Sequence, residues 1–292
     1  MRAFSDHNPI AVAIYYLATL FIIMFCMNPI LIFISLLGAI TLFAMQSTGS
    51  SKASHLAFFL LFLVTAIINP LVSHNGVTVL FVMNNSPITL ETTLYGVCAA
   101  AMIIASIYWF RSFTVVMTDD KLLYIFGKLS PKLSLILSMA LRYVPLFSKQ
   151  AKKTRDAQKA LGIYNEDNVI DKTRSSLRVF SVMVSWSLEN GIITADSMSA
   201  RGYGVAKRTH FSIFSFKRSD IFLLLSTIVL LFVTITSMAL GALDFEFYPY
   251  IETANLSFWS LAGYICYALL AFLPTFIDAK ENIKWHKLRS KI

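Results

Sequence analysis

Six apolar runs constrain this chain more than any other feature. They fall at about 10–27, 29–46, 56–73, 92–110, 219–241 and 258–279. Runs of roughly 18 residues or more separate a spanning helix from a buried core helix. In lipid the backbone must satisfy its own hydrogen bonds, so each run is expected to be a helix. Asn28-Pro29 divides the first long run into a tight helical hairpin, because proline cannot continue a helix without losing a hydrogen bond. Composition agrees. Of 292 residues, 57% are hydrophobic and 14% charged, with a mean hydropathy of +0.66, whereas soluble domains carry about 25% charged residues. Arg2 precedes the first run, but no small-residue cleavage site follows, so this run reads as a span and not as a signal peptide. The expected fold class is an all-α integral membrane protein with about six transmembrane helices, plus two long amphipathic helices described below.

The basic residues orient it. Residues 111–218 hold eighteen of the twenty-five Lys and Arg. Arg2, Lys52 and a tail containing Lys280, Lys284, Lys287, Arg289 and Lys291 hold the rest. Residues 74–91 and 242–257 hold none, but carry Glu91, Asp244, Glu246 and Glu252. The positive-inside rule then places both termini, the 47–55 loop and 111–218 in the cytoplasm of a multi-pass cell-membrane protein. Three regions follow: membrane helices over 1–110, a cytoplasmic or interfacial region over 111–218, and membrane helices with a basic tail over 219–292. The net charge of +9 is concentrated on one face, where it also attracts lipid headgroups. No nucleic-acid-binding motif accompanies it, so nucleic acid is not an expected partner.

The basic region is patterned. Leu133, Ile136, Leu137, Ala140, Leu141 and Val144 recur at helical spacing, with Ser134, Ser138 and Arg142 on another face. Pro145 stands near the end of this segment, and a basic continuation from Lys149 runs to Gly162, a C-cap candidate. Residues 163–172 are polar and acidic and read as a loop. A second amphipathic helix spans about 173–201, with Trp186, Ile193 and Ala200 seven apart on one side and Glu189 and Asp196 seven apart nearby. It stops at Gly202-Tyr203-Gly204. Glu189 and Asp196 either hold Arg142 or Arg178 across the helix pair or are solvated. A basic helix end kept in the cytoplasm by a membrane protein suits a grip on another protein, although Arg201 alone is also a favourable helix-end cation.

Several chemistries lack their residues. Cys26, Cys98 and Cys266 each sit in an apolar run and read as small hydrophobes. The five His show no HExxH or paired spacing, so no metal site is expected. There is no GxxxxGK[ST] phosphate loop, and no cofactor is expected. An embedded enzyme acting on lipids or peptides, the main alternative, needs a constellation such as paired Asp or Ser with His at helix depth. A stand-alone secondary transporter needs polar midplane sites in repeated halves. Neither pattern occurs. His74 reads as an outer loop residue.

The ordered series of motifs resembles one family. Asn69-Pro70-Leu71-Val72 opens a stretch to Thr78 similar to the NPLF-type segment that follows a membrane helix in the transmembrane T components of energy-coupling factor (ECF) transporters, the CbiQ/EcfT family. Ser86-Pro87-Ile88-Thr89-Leu90-Glu91, Asp119-Asp120-Lys121-Leu122-Leu123-Tyr124 and Leu135 through Pro145 follow in the family's order. The most specific likeness is Trp186-Ser187-Leu188-Glu189-Asn190 leading to Ala195 through Gly204, which contains Ala200-Arg201-Gly202.

The resemblance implies a non-enzymatic scaffold between a substrate-binding membrane S component and two cytoplasmic ABC-type ATPase subunits, or a homodimer of one. In that family two coupling helices each end in a short Arg-bearing motif seated in an ATPase groove. Arg201 matches the second motif. The first falls at Ala160-Leu161-Gly162, where Leu161 stands in place of the family's Arg. Lys159 or Arg155 then supplies the charge, or the contact is apolar. Arg142, Glu189 and Asp196 are the expected supports of the two helices.

Overall fold

A computed structural model of the chain describes residues 3–46, 52–73, 75–83, 86–164, 169–205, 214–251 and 257–289. His74, Asn165, Lys207, Arg208 and Asn255 lie outside these residues. A short 3-10 turn at Ala3–Asp6 precedes α1 (Pro9–Phe25), α2 (Pro29–Gln46) and α3 (Lys52–Val72). A two-stranded antiparallel hairpin, β1 (Val79–Met83) and β2 (Ser86–Thr89), leads into α4 (Leu90–Val116) and α5 (Asp119–Leu129). Then come α6 (Pro131–Ala160), α7 (Val169–Ala200), α8 (Arg218–Ala239) and α9 (Phe258–Arg289). The chain forms two compact units: Met1–Leu122 with Phe214–Ile292, and Leu123–Ile213.

The first unit is the membrane bundle. Among the described residues, five stretches are long and apolar enough to cross a bilayer: α2, His55–Val72 of α3, α4, α8 and α9. The first expected span is α1, which has 17 residues, or about 25 Å of helix. Its length suits a central position. Ala11, Val12, Tyr15, Tyr16, Ile22 and Ile23 are all buried, and α1 packs on α2, α4 and α8. The Asn28-Pro29 break works as expected. The Asn28 side chain accepts from the Ile30 N–H at 3.0 Å and donates to the Leu243 carbonyl at 3.1 Å and the Tyr264 hydroxyl at 2.8 Å. The break thereby ties the α1–α2 turn to the region between α8 and α9.

The bundle core is aromatic, and the polar tips of Trp109, Tyr15 and Tyr16 are matched. The Trp109 indole N–H donates to Ser35 Oγ at 2.9 Å. Tyr15 donates to the Leu270 carbonyl at 3.0 Å. Tyr16 and Ser112 hydroxyls lie 2.8 Å apart, and Ser112 donates onward to Gln46 at 2.7 Å. Such pairing is what allows tyrosine and tryptophan to be buried.

The 3-10 turn closes one end of this unit. Phe4 N–H donates to Asp278 at 2.8 Å, and His7 Nδ1 lies 2.6 Å from Asp220. Lys121, only 7% exposed, directs its ammonium at the carbonyls of Ser5 and Val116. Burial pushes its pKa below the ordinary lysine value, and nearby Asp6 opposes that shift.

Candidate functional site: the α6–α7 helix ends

The second unit is built around α6 and α7. Pro131 opens α6 at a first-turn position, where its missing N–H costs nothing. Pro145 lies inside the helix and removes one backbone bond without ending it. The two segments read from the sequence are therefore one helix of 30 residues. The second helix begins at Val169, inside the stretch expected to be loop. Asp171 falls in its first turn, where a carboxylate favours the helix dipole.

Three contacts give the direction of packing. Tyr143 and Thr194 hydroxyls lie 2.8 Å apart. Phe147 and Trp186 rings meet edge to face at 5.6 Å. Arg178 donates to the Ile163 carbonyl at 3.1 Å. Positions rise along α6 as they fall along α7, so the helices are antiparallel. Their C-terminal ends lie at opposite ends of the pair, separated by roughly one helix length, on the order of 45 Å.

These two ends have the same architecture. At the first, Ile163 N–H donates to the Gln158 carbonyl at 3.0 Å and Gly162 N–H to the Lys159 carbonyl at 3.0 Å. At the second, Tyr203 N–H donates to Met198 at 3.1 Å and Gly202 N–H to Ser199 at 3.0 Å. Both are Schellman motifs, which satisfy carbonyls that a helix end leaves open. Gly162 has φ +67° and Gly202 has φ +77°. A Cβ on either glycine would meet nothing within 4 Å, so the left-handed backbone, not space, requires glycine there.

Ala160-Leu161-Gly162 and Ala200-Arg201-Gly202 thus present their middle residues identically, each as the cap residue itself. Leu161 is 71% exposed, and Arg201 is also exposed. One end offers an apolar knob and the other a guanidinium fork with five donors. Lys159, one candidate for the missing charge, lies with its ammonium 5.2 Å from the Tyr164 ring. Arg155 is exposed about a turn and a half before the end.

Arg142, Glu189 and Asp196 are all exposed. Among the described residues no ion pair joins either carboxylate to Arg142 or Arg178. Of the two expectations for these carboxylates, pairing or solvation, their exposure fits solvation. Arg178 turns instead to the carbonyl just past the C-terminal end of α6, where the helix dipole favours a cation. The pair is held by aromatic and hydroxyl contacts from Tyr143, Phe147, Trp186 and Thr194. Trp186 stood out in the sequence for its spacing, but Tyr143 and Phe147 did not. Their signal was spacing of four residues on one helix face.

A family model described as "Cobalt transport protein", CbiQ, matches residues 2–212. The energy-coupling factor transporter transmembrane protein EcfT of Streptococcus equi subsp. equi is 30% identical over 101 residues, covering 34% of this chain and 38% of that protein. Its Streptococcus thermophilus counterpart is 34% identical over 93 residues, covering 31% and 35%. The Lactobacillus helveticus protein of the same name is 30% identical over 110 residues, covering 35% and 40%. The chain spans two fifths or less of the length of these curated relatives.

Proposed function

This chain belongs to the CbiQ family, and on that premise we propose that it is the transmembrane coupling component of an ATP-driven ECF-type micronutrient importer. The observation that carries this reading is the pair of equivalent Schellman-capped ends, Ala160-Leu161-Gly162 and Ala200-Arg201-Gly202, at opposite ends of one antiparallel helix pair. Two separated ends of the same form suit two ATPase subunits, or the two halves of a homodimer. Residues 111–218 and both termini then face the cytoplasm of the cell membrane. This agrees with eighteen of twenty-five Lys and Arg lying in 111–218.

In this reading the chain performs no bond chemistry. ATP closes the ATPase pair and moves the two seated helix ends. The α6–α7 pair relays that movement to a substrate-binding S component, which reorients and releases its cargo inward. The pair acts as a two-state element biased by ATP at its ends and by the substrate carrier along its length.

Arg201 is the sharpest test. An arginine seated against a carboxylate makes a planar, bidentate contact. Removing one member of such a desolvated pair costs about 2–5 kcal/mol, against under about 1 kcal/mol for an exposed cation. Arg201→Ala should reduce co-purification of the ATPases and substrate uptake, with membrane insertion intact, while Lys207→Ala should do neither. Equal, wild-type behaviour of both variants would reduce Arg201 to a helix-end cation. Topology is tested separately. A cysteine probe at Asn75 should label from outside intact cells, and one at Asn165 should not.

A further inference from the structure

Between α3 and α4 stands a feature that the coupling reading leaves unused. Val79, Leu80, Phe81 and Val82 form most of β1, and all four side chains are between 51% and 63% exposed. Val77, just before them, is 53% exposed. A strand sends successive side chains to opposite faces, so both faces of β1 are apolar and open. A hairpin standing in water would alternate polar with apolar, and one packed on protein would bury one face. This strand does neither.

Its support is rigid. β2 packs on α3 and α4, and Ile88 and Thr89 are buried. Thr78 donates through its hydroxyl to Glu91 at 2.6 Å and through its N–H at 3.2 Å. Thr89 donates to the Asn75 carbonyl at 2.6 Å. β1 pairs with β2 along one edge, and the sheet has only these two strands among the described residues. The exposed strand is thus held out from the helix ends by its partner. An isolated hairpin would be marginal, so these base contacts maintain the presentation.

The surroundings identify what covers it. The flanking helix ends are apolar and exposed too: Ile67, Ile68, Leu71 and Val72 at the end of α3 and Leu94 and Val97 near the start of α4, the two helices on which β2 packs. Both helices are long and apolar enough to face lipid. Residues 74–91 contain no Lys or Arg. An aromatic group stands on the same side of the bundle, with Tyr95 packed 5.5 Å from Phe247 and 5.7 Å from Tyr248. Aromatic residues of this kind mark membrane–water boundaries. Among the described residues no strand pairs with the outer edge of β1, and this edge also sets the depth. Backbone groups on an edge that no described strand covers exclude the hydrocarbon centre, where nothing could satisfy them, but are tolerated where headgroups and water reach.

We propose that the β1–β2 hairpin is an interfacial anchor, with β1 lying in the headgroup–acyl boundary of the phospholipid leaflet on the Lys/Arg-poor side. It fixes the depth of the α3–α4 end independently of any coupling role for α6 and α7.

The test uses the full chain in phosphatidylcholine nanodiscs, with Cys26→Ala, Cys98→Ala and Cys266→Ala as background. A polarity-sensitive dye is attached in turn through Leu80→Cys, Phe81→Cys and Val82→Cys. All three should show blue-shifted emission and several-fold weaker quenching by aqueous iodide than free dye. Lipid brominated near the carbonyl end of the acyl chain should quench them more than lipid brominated near the methyl end. Alternation, with Phe81→Cys unlike its two neighbours, would mean one face is in water and would overturn the proposal. Shielding from both iodide and brominated lipid would mean a protein partner, and would also overturn it. If the cysteine-free background misfolds, benzoylphenylalanine at position 81 in the otherwise native chain gives the same decision. A phospholipid adduct supports the anchor, and a protein adduct or none removes it.

Discussion

The membrane bundle and the α6–α7 pair solve opposite problems with similar helices. In the bundle, Trp109, Tyr15, Tyr16 and Tyr267 are almost completely buried, and the polar tips of Trp109, Tyr15 and Tyr16 meet protein groups. In the pair, Gln158, Ser175 and Val179 are the buried residues of α6 and α7. Leu133, Ile136, Val144, Leu188, Ile192 and Ile193 stay exposed. Exposed apolar side chains on α3 need no explanation in lipid. On α6 and α7 they share their helices with cations, Lys149, Lys152, Lys153 and Arg155 on α6 and Lys172, Arg174 and Arg178 on α7, which exclude a comfortable span. The bundle is therefore complete in a bilayer, whereas the pair keeps apolar surface that its own packing does not cover. Substitutions in the first should act on stability, and substitutions at the ends of the second should act on assembly.

The largest expected effect lies in the bundle. Trp109→Ala would leave a cavity among Tyr15, Tyr16 and Ser35 and remove the donor to Ser35. Such core truncations cost about 3–5 kcal/mol. Thermal unfolding in detergent should show a clear drop in Tm. An unchanged Tm would mean that the aromatic core does not carry the bundle, and the contrast with α6–α7 would fail.

The next effect sits at the helix ends. Arg201→Ala and Leu161→Ala should leave that Tm in place, because both side chains are exposed at C-caps. They should separate in ATPase co-purification. Arg201→Ala is expected to cost about 2–5 kcal/mol. Leu161→Ala, losing an apolar knob, is expected to cost at most about 1.5–3 kcal/mol if the contact is fully buried. Equal losses would indicate that the two ends are used alike despite their chemistry.

What could be read from the chain divides along the same line. Spans were legible because lipid demands length and apolarity together, and an unbroken apolar run such as 29–46 is too long for a barrel strand and satisfies its backbone as a helix. The helix stops at Gly162 and Gly202 were legible because a left-handed cap favours glycine. α5 was not, since Asp119–Leu129 is short and mixes charge with apolar residues. The continuation of α9 to Arg289 was hidden by the lysines that end its apolar run near 279. The β1–β2 hairpin was missed because Val79 to Met83 has no polar alternation, the usual mark of a strand. The burial of Lys121 had no local signal at all. It depends on Ser5, more than a hundred residues away, and lysine is rarely buried. The identical Schellman geometry was within reach, because each A-x-G is followed by a large residue, Ile163 or Tyr203, that can fold back on the last turn.

The smallest predicted effect asks whether those two caps are equivalent as structure and unequal as function. Placing a Cβ at φ near +70° costs roughly 1–2 kcal/mol for most residues, and asparagine tolerates this region better than alanine. Space is open at both sites, so strain is the only term that changes. Gly162→Ala and Gly202→Ala should therefore loosen their own helix ends by similar amounts. Amide hydrogen exchange at Gln158–Ile163 and at Met198–Tyr203 would report this as about tenfold faster opening. Gly162→Asn and Gly202→Asn should recover most of the protection. ATPase capture should respond unequally. Gly202→Ala displaces the guanidinium that the proposal seats in a carboxylate-bearing groove, and a bidentate contact is sensitive to small misplacement. Gly162→Ala displaces only Leu161, whose apolar contact has no fixed direction. If capture falls equally in both alanine variants and returns equally with asparagine, helix-end order is what the ATPases require. The difference between Leu161 and Arg201 would then carry no coupling role.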